Sequence, residues 1–230
     1  VSPSIVLIGD SHADHLTQAL HEKLLLKKIS AYNFSFKDCS PVEFKGNKLD
    51  FVSNDCFEKI LDFIKNNKKI NTAIVSFRWV TRLPGIGYGN FTEAYTKDKI
   101  LDEKVLKNRG QIIANKLEDL IDPNKKLILI YPVPEAGEDV PNYTVKKRIL
   151  GEENYTLEVP YSSFIERNKY AYYALDLVSS PKEIIRIYPS NILCEKESGF
   201  CKTVLDGKSL YYDDDHLSNF GASLVIQDIF

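Results

Sequence analysis

The stretch Ile5-Val6-Leu7-Ile8-Gly9-Asp10-Ser11-His12-Ala13-Asp14-His15-Leu16 sets four aliphatic residues directly before Gly-Asp-Ser, and polar residues at helical spacing follow. The aliphatic run reads as a strand buried on both faces, because a strand with one wet face would alternate. The residues after it read as a strand-to-helix turn with an Asp or Ser N-cap. A serine at that point has a second reading. Ligands of open α/β folds bind outside the carboxyl ends of the strands, which is where Ser11 would present a nucleophile. Gly9 permits a tight turn there, and the N–H groups and dipole of the following helix favour developing negative charge.

The rest of the chain repeats the pattern. Apolar runs recur at 5–8, 29–34, 72–77, 126–131 and 183–187, with helical patterns at 14–26, 54–66, 99–120, 163–178 and 219–229. Alternating strands and helices predict a single α/β domain over 1–230, a three-layer α/β/α sandwich around a parallel sheet. Two segments break the rhythm and are expected to be long loops: 81–98, with Gly85, Gly87 and Gly89, and 132–158, with Pro132, Pro134 and Pro141. Long loops in compact domains are often lids or binding loops. Their aromatics, Tyr88, Phe91, Tyr95, Tyr143 and Tyr155, are of the kind that stacks on sugar rings.

Composition narrows the function classes. The 230 residues carry 30 Lys plus Arg against 32 Asp plus Glu, a formal charge of −2 with the lysines scattered, so a nucleic-acid partner is not expected. No apolar run approaches the roughly 18 residues of a membrane helix. The chain has no Met, which suggests an excised or processed piece of a longer protein. Cys39, Cys56, Cys194 and Cys201 show no Cys-x-x-Cys spacing, and with only four histidines no metal site is expected. Two local bridges, Cys39–Cys56 and Cys194–Cys201, are the natural pairing among three connectivities and point to an oxidising compartment; four reduced thiols are the alternative.

A serine hydroxyl needs a base. Among His12, His15, His21 and His216, the first follows the serine directly, and the next two fall on the first helix and read as solvated. His216 stands in a polar turn before the last helix, where Ser218 or Asn219 can act as N-cap. Asp213, three residues earlier, can accept the imidazole Nδ1–H and leave Nε2 for the serine. Asp214 and Asp215 then read as surface charges.

Gly9-Asp10-Ser11 and Asp213-x-x-His216 resemble the first and last motif blocks of the SGNH, or GDSL-like, hydrolases. More narrowly, GDSHADHL at 9–16, FRW at 77–79, YPVPEAGEDVP at 131–141 and YYDDDHLSNFGA at 211–222 resemble the periplasmic SGNH domain fused to membrane acyltransferase domains in bacterial surface-polysaccharide O-acetyltransferases. The cysteine placement is similar to that subgroup as well. The resemblance implies a flavodoxin-like SGNH fold, with Ser11 as nucleophile, His216 as base and Asp213 as its orienter. It implies acetyl transfer to a hydroxyl of a surface glycan, the lipopolysaccharide O-antigen first, at the periplasmic face of the inner membrane. No cofactor would be bound; the acetyl group, ultimately from acetyl-CoA, would arrive through the membrane acyltransferase domain of the same chain. As an isolated domain the protein is expected to be monomeric. A stand-alone carbohydrate acetylesterase and a non-catalytic glycan-binding module are the alternatives.

Two departures bear on the oxyanion hole. SGNH enzymes place a glycine after the second strand and an asparagine after the third, both donating to the oxyanion. Here the second strand runs into NFSFKDCS at 33–40 and the third into VSFRWVTR at 75–82. The Ser11 amide remains as a donor. Arg78 would supply a charged donor and Trp79 a surface for a sugar, or the two form a buried salt bridge beside a core tryptophan.

Overall fold

A computed structural model describes residues 2–37, 39–44, 51–83, 102–152 and 157–229. Five parallel strands form the central sheet: β1 (Ile5–Gly9), β2 (Ala31–Ser35), β3 (Thr72–Ser76), β4 (Lys126–Ile130) and β5 (Glu183–Ile187). Their spatial order is β2-β1-β3-β4-β5. All five apolar runs of the sequence are therefore strands, within one or two residues of the expected ends.

Period-two alternation assigns the strand side chains to two cores. Val6, Ile8, Ala73, Val75, Leu127 and Leu129 pack on one face. Ile5, Leu7, Ile74, Ile128 and Ile130 pack on the other. The first face is covered by α3 (Asp55–Asn66), α4 (Glu103–Glu118) and α6 (Tyr161–Leu177), all of which lie where helical patterns were read. The second is covered by α1 (Ser11–Asp14), α2 (Thr17–Leu26), α7 (Pro189–Leu193) and α8 (Asn219–Val225). The expected first helix is thus two pieces, broken at His15 and Leu16.

The segment 132–158 is not a plain loop. It contains α5 (Val140–Ile149), begun by Asp139, whose side chain accepts from the Asn142 amide, with Pro141 in the first turn. Proline fits there because its missing N–H would have no helical partner. The segment 81–98 lies outside the described residues from 84 onward, and Tyr88, Phe91, Tyr95 and Tyr155 fall outside them too.

The structure joins Cys39 to Cys56 and Cys194 to Cys201. The first bridge ties the chain after β2 to the start of α3. The second links two short antiparallel strands, Cys194–Glu195 and Phe200–Lys202, ahead of the turn that carries His216.

Gly9 ends β1 for a reason other than turn geometry. A Cβ there would sit 1.7 Å from the Ser76 carbonyl oxygen and 2.6 Å from the Ala13 Cβ. Only a residue without a side chain lets α1 approach both strands this closely.

Candidate active site

The sheet order reverses at β1 and β3, so the crevice beyond their carboxyl ends is the binding position of the fold. Asp10 builds that edge. Its carboxylate caps α1 by accepting the His12 amide at 3.0 Å, accepts the Arg78 amide at 3.1 Å, and binds Arg82 Nη1 at 3.0 Å. One buried carboxylate thus fastens the turn after β1 to the turn after β3, and Ser11 is held exposed at the first position of α1. The Ser11 amide, in the unpaired first turn, makes no hydrogen bond among the described residues.

The turn at 211–218 comes back to the same edge. Ser218 caps α8 by accepting the Gly221 amide at 3.1 Å. Asp213 Oδ1 accepts the amides of Asp215 and His216, at 3.0 and 2.7 Å, which tightens the turn. The other oxygen of Asp213 lies 2.8 Å from His216 Nδ1. Ser11, His15, Asp213 and His216 line one cleft of about 380 Å³, together with Asp14 and Asn219. His216 Nε2 has no hydrogen-bond partner among the described residues, the Ser11 hydroxyl included. Such contacts often tighten only when substrate is bound.

Asp215 is not a surface charge. Its side chain is 4% exposed, and it stands 2.8 Å from His216 Nδ1, 2.9 Å from Arg78 Nε and 3.4 Å from His12 Nε2. Burial alone would raise the Asp215 carboxyl. The hydrogen bonds from His12 and His216, with the charges of His12 and Arg78, outweigh it and hold the group far below the usual carboxylate range. The hydrogen bond to Asp215, opposed by burial and reinforced by Asp213, pushes His216 up to about 9. One oxygen of each acid faces the ring, and the pair therefore favours an imidazolium at neutral pH.

His15 is not solvated either. Its Nδ1 accepts the Leu217 amide at 3.2 Å, which puts the proton of the neutral ring on Nε2. Burial, together with neighbouring His12 and His216, lowers it well below the ordinary histidine value. His21, by contrast, is exposed on α2.

Trp79 cannot stack on a sugar: it is 1% exposed, and its indole N–H donates to the Ile130 carbonyl at 3.0 Å. Arg78 takes the salt-bridge alternative, with Nε 2.7 Å from Glu135 and 2.9 Å from Asp215. Its backbone amide, at the place where an oxyanion donor was sought after the third strand, is bound to Asp10.

A family model described as the SGNH domain (fused to AT3 domains) matches residues 1–229. The chain belongs to this SGNH family. Its fold is similar to that of the periplasmic domain of a lipopolysaccharide acetyltransferase from Salmonella ser. Paratyphi A, at 19% identity and a TM-score of 0.59, covering 99% of this chain and 82% of that one. It is also similar to that of a carbohydrate acetylesterase from Sinorhizobium meliloti, at 12% identity and a TM-score of 0.51, covering 99% of this chain and 96% of the other. No curated protein matches the sequence.

Two parts of this SGNH domain site escape a reading of motifs. Glu135, in the YPVPEAGEDVP stretch, is 4% exposed and binds Arg78 through one oxygen and Arg167 Nε through the other, at 2.7 and 2.6 Å. Arg167 gave a signal that was available: it falls on the buried stripe of α6 with Phe164, Ala171 and Ala174. A charge at such a spacing has to be paired. Asp215 gave only its adjacency to His216, in a run of three aspartates where each looks alike.

Proposed function

We propose that this SGNH domain transfers an acetyl group, through an ester on Ser11, to a hydroxyl of a bacterial surface glycan, lipopolysaccharide being the first candidate. The observation that carries the reading is the cleft shared by Ser11 and a carboxylate-bound His216 at the switch point of the sheet. The family description, SGNH fused to AT3, supports a membrane acyltransferase domain in the same chain as the source of the acetyl group. The two disulfides fit a domain on the periplasmic side.

In this mechanism neutral His216 takes the Ser11 proton at Nε2 while Oγ attacks the carbonyl carbon of the donor. A carboxylate at Nδ1, Asp213 being the one expected from its spacing, fixes the tautomer and stabilises the imidazolium. The Ser11 amide donates to the oxyanion. Collapse expels the leaving group, which takes the proton from His216. A sugar hydroxyl then gives its proton to His216 and attacks the acetyl carbon. The bond to Oγ breaks, the acetylated sugar departs, and Ser11 recovers its proton.

The fold likeness to a carbohydrate acetylesterase supports a second reading, in which water replaces the sugar. The same Ser11, His216 and Asp213 would serve. Incubating the protein with an activated acetyl ester and purified lipopolysaccharide, then comparing acetyl gained by glycan with acetate released, separates the two. Acetylated glycan supports transfer; acetate alone supports the esterase.

A further inference from the structure

The turns where SGNH enzymes place their further oxyanion donors offer little here beside the Ser11 amide. The Phe36 amide, just beyond β2, donates to the Gly9 carbonyl at 2.9 Å, and the Arg78 amide, beyond β3, is held by Asp10. Of the donor side chains lining the cleft, Ser218 donates its hydroxyl to the Ser209 carbonyl, Asn219 its amide to Glu22, and Tyr212 is mostly exposed. His15 differs from all of these. It closes α1, and its amide donates to the Ser11 carbonyl at 3.0 Å, so the two side chains stand one helical turn apart on the same face. Both line the cleft, and the His15 ring stands edge-on to that of His216, with centroids 5.9 Å apart. Because Nδ1 accepts the Leu217 amide, the neutral ring carries its proton on Nε2, and that buried N–H has no acceptor among the described residues. A buried donor without an acceptor is costly, and an oxygen entering the cleft relieves that cost.

We propose that His15 is a catalytic residue whose Nε2–H is the second donor to the acetyl carbonyl oxygen, beside the Ser11 amide. The inference rests on reading Ser11 and His216 as nucleophile and base. As Ser11 Oγ bonds to the carbonyl carbon, the electron pair of the C=O π bond moves onto the oxygen, and the hydrogen bond from Nε2 strengthens with that charge. When the tetrahedral intermediate collapses, the pair returns to the carbonyl and the bond to the leaving group breaks. No proton passes through His15 at any step. A neutral ring suits this role. Burial, with neighbouring His12 and His216, keeps His15 unprotonated, so it stabilises the oxyanion without opposing the positive charge that His216 acquires in the same step. Its other nitrogen is tied to the residue that follows His216, so one short contact sets donor and base relative to each other.

The test is hydrolysis of nitrophenyl acetate by His15→Phe, which keeps a flat ring without the donor, and by His15→Gln, whose amide can place an N–H near the position of Nε2. Ser11→Ala and His216→Ala serve as references. His15→Phe should lower kcat by about 10²–10³-fold with KM little changed, and His15→Gln by less than about tenfold. Infrared spectroscopy of an isotopically labelled acetyl group held on Ser11 gives a signature that a packing role would not move. The carbonyl stretch should lie at higher frequency in His15→Phe than in the wild type, because a donor to the oxygen weakens the C=O bond. If thermal unfolding shows that His15→Phe does not fold, His15→Ala takes its place with the same expectations. A donor-less variant with kcat within about tenfold of the wild type would overturn the proposal. So would equal losses in His15→Phe and His15→Gln, or a carbonyl band that stays where it was. If Ser11→Ala and His216→Ala themselves stay active, the reading of the whole site fails instead.

Discussion

Ser11 and His216 would each be inert without the other, since a serine hydroxyl attacks only as its proton leaves. Substituting either by alanine should lower turnover of an activated acetyl ester by about 10⁴-fold or more, and the double variant should be scarcely worse than either single one. His21→Ala, on the exposed side of α2, should keep wild-type turnover. As a base His216 would work only as neutral imidazole, and its carboxylate partners push it up to about 9. Accordingly kcat/KM should climb as pH rises through the region of 9; a profile already flat at neutral pH would contradict the pairing. At this scale the sequence was legible where chemistry follows spacing, as in Asp213-x-x-His216. It was not legible for Asp215 and His15, which read as solvated, or for Glu135, which carried no signal of its own, because only tertiary packing buries these side chains.

Elements were more legible than residues. The inner strands β1, β3 and β4 show as apolar runs because both of their faces are buried, the edge strands β2 and β5 are only partly buried, and α3, α4 and α6 follow their periodic stripes. Two helices were not legible: the short α7, and α5, hidden in a proline-rich stretch because Pro141 sits in the one turn of a helix that tolerates it. The junction of β1 and α1 makes a sharp prediction. Gly9→Ala would drive a methyl group into the Ser76 carbonyl, so the variant should fold poorly and lose activity together, as read by thermal unfolding and ester turnover. The Cys39–Cys56 bridge closes a loop with a separation of 17 residues. Replacing both cysteines by alanine should cost about 3 kcal/mol, lowering Tm by roughly 6–12 °C for a domain of this size. An unchanged Tm in oxidising buffer would argue that the bridge does not form.

For the molecule as a whole, the His216 pairing links stability to pH. The folded state keeps that proton up to about 9, whereas the unfolded chain releases it near the ordinary value of 6.5. The contribution is therefore fully present below 6.5 and is lost as pH rises through 9. Thermal unfolding should show the wild type losing more Tm across that window than His216→Ala does. The same scale decides between transfer and hydrolysis. Holding an acceptor in near-attack geometry can be worth effective molarities of about 10⁵–10⁸ M, ample to outcompete water. The measurement that bears most directly on acyl transfer is mass spectrometry of the protein mixed with an activated acetyl ester, before and after lipopolysaccharide is added. One acetyl group should appear on the peptide containing Ser11, be absent in Ser11→Ala, and disappear as the glycan gains acetyl. No acetyl on that peptide, with turnover surviving in Ser11→Ala, would contradict the account.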